Sequence, residues 1–149
     1  MSVYVLDSVA LFQTATIQSK DENWAKFHAE KWVDNENSFV TTEVSIINAY
    51  AMVLRTDNAT EVRKRLNSFV APFWDPTLIK FELLSLNDRT LASNLAEYVN
   101  KFGSDYSLEP IYIAYTCDSH HKGAEVCGIH QTLYDPLGIV MAYPFVIED

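Results

Sequence analysis

Asp7 directly follows the run Val3-Tyr4-Val5-Leu6, whose β-branched, aromatic and aliphatic residues predict a buried β-strand. Ser8 comes next, and an Asp-Ser pair is typical of a helix N-terminus, where side-chain oxygens accept from free backbone N–H groups. In open α/β sheets, ligands and catalytic groups collect beyond the carboxyl ends of the strands. Asp7 is therefore the first candidate for chemistry. The alternative is that Asp7 only caps the following helix.

A second group of chemically active residues lies later in the chain. Cys117-Asp118-Ser119-His120-His121 and Cys127-Gly128-Ile129-His130 hold both cysteines and three of the four histidines. Two Cys-x-x-His pairs could bind one tetrahedral Zn²⁺ through Cys117, His120, Cys127 and His130. The alternative is a chance cluster, with a buried apolar cysteine and a His pair favoured by a helix C-terminus. If His130 instead faces Asp7, its imidazole would favour a transition metal over Mg²⁺.

The densest basic cluster is Arg63-Lys64-Arg65, which is the candidate contact for nucleic acid. The formal net charge of −9 argues against non-specific nucleic-acid binding, because that binding depends on Lys and Arg neutralising phosphates. A nucleic-acid partner would therefore need this local patch or metal ions. The alternative is that the three residues form only the solvated face of a helix.

The elements that must position these residues alternate along the chain, as apolar spacing and turn signals indicate. Strands are predicted at 3–6, 79–84, 126–129 and 138–143. Helices are predicted at 9–17, from about 20 to 32, 42–55, 57–70, 88–102 and 107–118, with a helical turn at 133–137. The predicted helix boundaries include a cap at Thr41-Thr42, a cap at Asn87 or Asp88, Gly103 at the end of the helix over 88–102, and Pro110 in the first turn of the helix over 107–118. Such alternation is typical of βαβ units, so the sequence predicts an α/β fold with a parallel sheet and helices on both faces.

Two polar residues fall on apolar helix faces. His28 recurs with Trp24 and Trp32 at helical spacing, which predicts a histidine packed in the core. Asn48 lies one turn beyond Val44, near the apolar face of its own helix. A polar side chain at that place needs a reason, because burying it without a partner is costly.

Composition narrows the class of protein. With 149 residues, 48% hydrophobic and 13% aromatic, the chain suits one compact domain spanning 1–149 rather than a disordered segment. It has no signal-peptide charge pattern and no apolar run long enough for a membrane span, so we expect a cytoplasmic protein without a membrane partner. It also has no Gly-rich phosphate loop and no Gly-x-Ser-x-Gly elbow, which argues against sites of those two kinds.

The order of three short motifs resembles the PIN domain, the metal-dependent nuclease fold of many bacterial ribonuclease toxins. Val5-Leu6-Asp7-Ser8-Val9-Ala10-Leu11 is similar to the family's opening strand and first acidic residue. Thr41-Thr42-Glu43-Val44-Ser45-Ile46-Ile47-Asn48 is similar to the helix start that carries the second, and Asp105-Tyr106-Ser107-Leu108-Glu109-Pro110 to the third acidic segment. The resemblance spans nearly the whole chain and implies a three-layer α/β/α domain with a central, mostly parallel sheet.

The resemblance also implies a metal site. Family members use an acidic cluster to hold Mg²⁺ or Mn²⁺, which activates water and neutralises charge developing on a phosphate. In this sequence the catalytic residues would be Asp7, Glu109 and Asn48, and the metal ligands Asp7, Asp105, Glu109 and His130. Asn48 takes the second acidic position, the third falls on Glu109 or Pro110, and the fourth falls near Ile129 or His130, so this site has fewer carboxylates than the family's pattern.

Three functions stay open at this point. The first is a PIN-like metal-dependent ribonuclease of the toxin type, with RNA as substrate and an atypical acidic site. The second is a catalytically inactive PIN-like scaffold or regulatory protein, and the third is a zinc-binding interaction module. The resemblance further implies a protein partner such as an antitoxin, and a homodimer formed through exposed apolar helix faces.

Overall fold

The computed structural model describes residues 2–16, 22–85, 89–103 and 105–145. The strands in these ranges are β1 (Val3–Leu6), β2 (Ser38–Thr42), β3 (Phe81–Leu84), β4 (Glu125–Gly128) and β5 (Met141–Pro144). They form one sheet in the order β3-β2-β1-β4-β5, and all neighbouring pairs are parallel.

The α-helices of the described ranges are α1 (Ser8–Ala15), α2 (Glu22–Val33), α3 (Glu43–Val53), α4 (Ala59–Val70), α5 (Arg89–Phe102), α6 (Leu108–Tyr115) and α7 (Gln131–Tyr134). Two 3-10 turns cover Ala71–Trp74 and Asp135–Leu137, and a π-helical turn covers Thr116–His120. Among these helices, none has both the length and the apolar character that crossing a membrane requires.

β1 is the central strand of the sheet. Leu6 pairs with Thr41 of β2 on one side and with Cys127 of β4 on the other. Because side chains alternate along a strand, Tyr4 and Leu6 face one core and Val5 faces the other. β1 therefore ends, just before Asp7, between the ends of two neighbouring strands.

Helices cover both faces of the sheet. α1 to α4 pack against the face that carries Tyr4 and Leu6, and α5 to α7 pack against the face that carries Val5. Central strands buried on both faces are rich in apolar residues, as β1 is. The three-layer α/β/α arrangement around a parallel sheet confirms the predicted fold class.

The core beside α2 is rich in aromatic rings, and His28 belongs to it as predicted. The His28 ring centroid lies 5.9 Å from that of Trp24, 4.6 Å from Trp32 and 5.4 Å from Phe69. Burial among these rings lowers the pKa of His28, because an apolar environment disfavours the imidazolium. This histidine is a packing residue.

β2 is absent from the sequence prediction, because the strand runs into a helix without a loop. Thr42 is the last residue of β2 and also the N-cap of α3, where its Oγ1 accepts the Ser45 N–H at 3.0 Å. The predicted helix cap is confirmed. Because the residues before Thr42 were interpreted only as the approach to a helix cap, the strand that they form was not predicted. The stretch predicted as the second strand, 79–84, is therefore the third strand, β3.

The last strand begins later than predicted. Gly138 has a φ of 72°, in the left-handed region, and closes the 3-10 turn that precedes β5. The strand therefore starts at Met141 and includes Pro144. The predicted end of the first helix at residue 17, the start of the second at 20 and the cap at Asn87 or Asp88 lie outside the described residues.

Candidate acidic site

Asp7 occupies both places that the sequence suggests for it. It follows the central strand β1 and is the N-cap of α1, with Oδ1 accepting the Ala10 N–H at 3.0 Å. Its Oδ2 accepts the Ile129 N–H at 2.8 Å, immediately beyond the end of β4. The carboxyl group thus lies at the carboxyl edge of the sheet, and the side chain is only 1% exposed.

Gly128, the last residue of β4, permits this close approach. A Cβ atom at Gly128 would lie 2.0 Å from Asp7 Oδ2, well inside contact distance. A side chain at this position would therefore displace the Asp7 carboxyl group. Glycine is needed here for space, and its φ is not in the left-handed region.

Glu109 is the second carboxyl group of the site. It is the second residue of α6, is 5% exposed and accepts a 2.7 Å hydrogen bond at Oε1 from the hydroxyl of Ser8. Its Oε2 atom is buried and has no hydrogen-bond partner among the described residues. Since Ser8 directly follows Asp7, this bond ties Glu109 to the end of β1.

The negative charge of Glu109 acts on the carboxyl group of Asp7. The pKa of Asp7 is raised from 3.8 to about 7, chiefly by burial and further by the negative charge of Glu109, against the backbone hydrogen bonds that favour the carboxylate. The ion pairs of the described residues join other side chains, so neither carboxylate has a Lys or Arg counter-charge there. The pair is therefore an uncompensated acidic centre.

Tyr134 lies beside this centre and was missed by the sequence analysis. Its side chain is fully buried, its hydroxyl has no hydrogen-bond partner among the described residues, and it ends α7. Burial raises the pKa of Tyr134, and the charges of Asp7 and Glu109 add to the effect. An aromatic residue at a helix end carries no sequence signal for such a role.

The other predicted catalytic and metal-binding residues are Asn48, Asp105 and His130. Asn48 and Asp105 are exposed. On α3 the buried polar residue is Ser45, whose Oγ lies 2.8 Å from Thr42 Oγ1. His130 is half-buried, and burial lowers its pKa while the charge of Glu109 opposes that shift. Among the described residues, no three of Asp7, Asp105, Glu109 and His130 place ligand atoms within 4.8 Å of one another.

The predicted zinc set of Cys117, His120, Cys127 and His130 is not assembled. Cys127 packs in the core with Leu6, whereas Cys117 packs in the core on the opposite face of the sheet. Both thiols are buried, and burial raises the pKa of Cys117 to about 12. The prediction was wrong because the sheet separates the two cysteines.

The three residues of the basic cluster, Arg63, Lys64 and Arg65, differ in exposure. Arg63 and Lys64 are exposed on α4. Arg65 is half-buried, and its Nε donates a 2.8 Å hydrogen bond to the carbonyl of Ala15 at the end of α1. Two of the three predicted nucleic-acid contacts are therefore free to meet a ligand, and Arg65 serves packing between helices.

The acidic centre fits a hard divalent cation by the chemistry of its donors. Mg²⁺ and Mn²⁺ prefer carboxylate, hydroxyl and water oxygens. Asp7 and Glu109 supply two carboxylates, Ser8 supplies a hydroxyl, and Glu109 Oε2 is a buried acceptor with no partner among the described residues. A cation held by Asp7 and Glu109 would neutralise two charges that are otherwise costly to bury.

Comparison with known proteins finds similarity of structure. No protein-family profile matches the sequence, and no curated protein matches it. A chain in the crystal structure of VapBC2 from Rickettsia felis bound to a DNA fragment from their promoter has a TM-score of 0.61 at 8% identity, covering 97% of this chain and 99% of that chain. A chain in the structure of FitAB bound to an IR36 DNA fragment has a TM-score of 0.64 at 16% identity, covering 98% of both chains.

A third similar structure is FitAcB from Neisseria gonorrhoeae, with a TM-score of 0.55 at 15% identity over 93% of this chain and 95% of that chain. Identities this low show a shared fold, and the shared fold extends over nearly all of both chains. The protein has the PIN-like three-layer α/β/α fold that the sequence motifs predict.

Proposed function

We propose that this protein is a PIN-like metal-dependent ribonuclease of the toxin type, with an acidic site reduced to Asp7 and Glu109. The observation that carries the proposal is the pair of buried, uncompensated carboxyl groups at the carboxyl edge of the sheet. Burying two like charges destabilises a protein, and strongly shifted pKa values concentrate at functional sites. The PIN-like fold supports RNA as the substrate class.

In this proposal Asp7 and Glu109 hold Mg²⁺ or Mn²⁺, which when bound activates water and neutralises charge on the phosphate. The Ala10 and Ile129 N–H groups orient the Asp7 carboxyl, and the Ser8 hydroxyl orients Glu109. His130 is kept as a candidate third ligand, because the charge of Glu109 acts on its imidazole.

The exposed residues of the predicted set receive a different role. Asn48 is assigned to a contact with RNA rather than with metal, since it is exposed, and Asp105, also exposed, is given no role in metal binding or RNA contact. Arg63 and Lys64 are the candidate phosphate contacts. Zinc is not assigned to the acidic centre, because its donors are hard oxygens.

The test combines metal binding with cleavage. Tag-free wild type, Asp7→Asn and Glu109→Gln are titrated with Mn²⁺ by calorimetry and incubated with a panel of single-stranded RNAs, with and without EDTA. Asp105→Asn is the matched control, because its carboxylate is exposed. We expect wild type and control to bind Mn²⁺ and cleave, and both site variants to lose binding and cleavage. Cleavage that survives EDTA or Asp7→Asn overturns the proposal.

A second candidate function is the catalytically inactive PIN-like scaffold. Two observations favour it. Asp7 is only 1% exposed, so a cation has little access to its carboxyl group. Asn48 is exposed and is not a ligand of the buried centre, so few ligands are left for a cation. The calorimetric titration separates the two functions. A folded wild type that binds no Mn²⁺ supports the scaffold and excludes the ribonuclease.

The proposal includes a homodimer, an antitoxin-like protein partner and a cytoplasmic location. One face of α3 and the residue that caps its C-terminus carry exposed apolar side chains: Ile47, Ala51 and Leu54. Ile47 is 65% exposed and Leu54 is 67% exposed. Apolar residues spaced in this way suit contact with a second copy of the chain. Light scattering after size exclusion should give a dimer for wild type and a monomer for Leu54→Glu. A monomeric wild type contradicts the dimer.

A further inference from the structure

Glu82, His120 and His121 form a cluster of metal-binding side chains outside the acidic centre. Glu82 lies in the edge strand β3, and the two histidines lie at the end of the π-helical turn that follows α6. His120 Nε2 is 3.3 Å from Glu82 Oε1, and His121 Nε2 is 2.5 Å from Glu82 Oε2. In the part of the chain that the structure describes, this is the one group of three such residues with ligand atoms within 4.8 Å.

The donor set is one that zinc prefers. Two imidazole nitrogens and one carboxylate oxygen, with a water, complete a tetrahedral zinc site of a well-known kind. Ligand atoms about 2.0 to 2.1 Å from zinc lie about 3.3 Å apart in a tetrahedron, a spacing that the nitrogens and oxygens of this cluster already approach. The two imidazole rings are nearly perpendicular, at 80°, yet both direct Nε2 at the same carboxyl group.

The accessibility of the cluster also suits a cation. The side chains of Glu82, His120 and His121 are 42%, 49% and 27% exposed, so an ion can enter from solvent.

We propose that Glu82, His120 and His121 bind one Zn²⁺ or a similar transition-metal ion, with water completing its coordination. The bound ion clips the edge strand β3 to the turn after α6. This site shares His120 with the zinc set predicted from the sequence. Glu82 and His121 take the place of Cys117, Cys127 and His130. Because the ligands lie 38 and 39 positions apart and only the fold brings them together, the ion binds the folded state and stabilises it by mass action.

The test measures zinc affinity of tag-free protein by competition with a chromophoric chelator, and the shift of melting temperature on adding zinc. Wild type should bind one zinc, and His120→Ala, His121→Ala and Glu82→Gln should each bind at least about tenfold more weakly. His130→Asn is the control, because His130 belongs to the other zinc set and Asn tolerates its left-handed φ of 67°. It should bind zinc as wild type does.

The outcomes separate this site from the acidic centre. Asp7→Asn should retain zinc affinity, so failure of the ribonuclease proposal leaves this one standing. The three cluster variants should melt near wild type without metal, because their side chains are partly exposed. A wild type that binds no zinc, or zinc binding that persists in His121→Ala, overturns the proposal. Binding lost in His130→Asn instead of the cluster variants also overturns it.

Discussion

Asp7→Asn should flatten the dependence of stability on pH in the metal-free protein. The pKa of Asp7 is about 7 in the folded protein against an ordinary 3.8, because burial and Glu109 disfavour the carboxylate. A raised pKa means that the folded state holds this proton more tightly than the unfolded state. The contribution to stability is therefore complete below about pH 4 and is lost as the pH rises through about 7.

The size of the effect follows from the two pKa values. The difference between 3.8 and about 7 corresponds to about 4 kcal/mol over the whole titration. Between about pH 5 and pH 8 the linkage relation gives a loss of about 2 to 3 kcal/mol. The amide that replaces the carboxyl group in the Asp7→Asn variant does not titrate, so the variant should lack this loss.

Urea unfolding in EDTA, at half-unit steps of pH, measures the effect for wild type, Asp7→Asn and Asp105→Asn. The buried histidines have lowered pKa values and act in the opposite direction, but they are present in all three proteins and cancel in the comparison. Asp105→Asn should follow wild type, because its carboxylate is exposed. Parallel curves for wild type and Asp7→Asn would refute the reasoning.

Three further predictions concern the backbone around the site. Gly128→Ala places a Cβ 2.0 Å from Asp7 Oδ2, so it should lower the free energy of unfolding by about 1 to 3 kcal/mol; an unchanged urea midpoint contradicts this. Thr42→Ala removes the acceptor of the Ser45 N–H and should cost about 1 kcal/mol in the same assay, whereas Thr42→Ser should retain most of the stability. His130→Val should be less stable than His130→Gly by at least about 1 kcal/mol, because a φ of 67° strains a β-branched residue; equal stability of the two variants tells against strain at this residue.

The sequence predicts those elements whose signals are local. Thr42 as a cap, Pro110 in the first turn of α6 and Gly103 after α5 each mark a boundary through the chemistry of one residue, and the structure agrees. β2 escaped prediction because it shares Thr42 with the next helix and has no turn after it. Its existence depends on pairing with β1 and β3, which no local pattern contains.

The sequence predicted the acidic residues of the site, most directly Asp7, because an aspartate at the end of a strand is a recognisable local signal. Asp7 and Glu109 were both named from the sequence, and the structure brings them together through Ser8. Cys117 and Cys127 are separated because they pack against opposite faces of the sheet. The face that each cysteine packs against is determined by contacts with elements distant in sequence, which no local pattern shows. Glu82 gave no signal, because a glutamate in an edge strand is ordinary and its histidine partners lie 38 and 39 residues away.

The central position of β1 has a consequence for the order of assembly. The hydrogen bond between Ile129 N–H and Asp7 joins residues 122 positions apart, while β2 can pair with β1 much sooner. During synthesis the first strand leaves the ribosome early, yet one of its edges stays open until β4 has emerged. The acidic centre is thus incomplete on every nascent chain that stops short of β4. Whatever chemistry it performs begins only after β4 has been translated and has paired with β1.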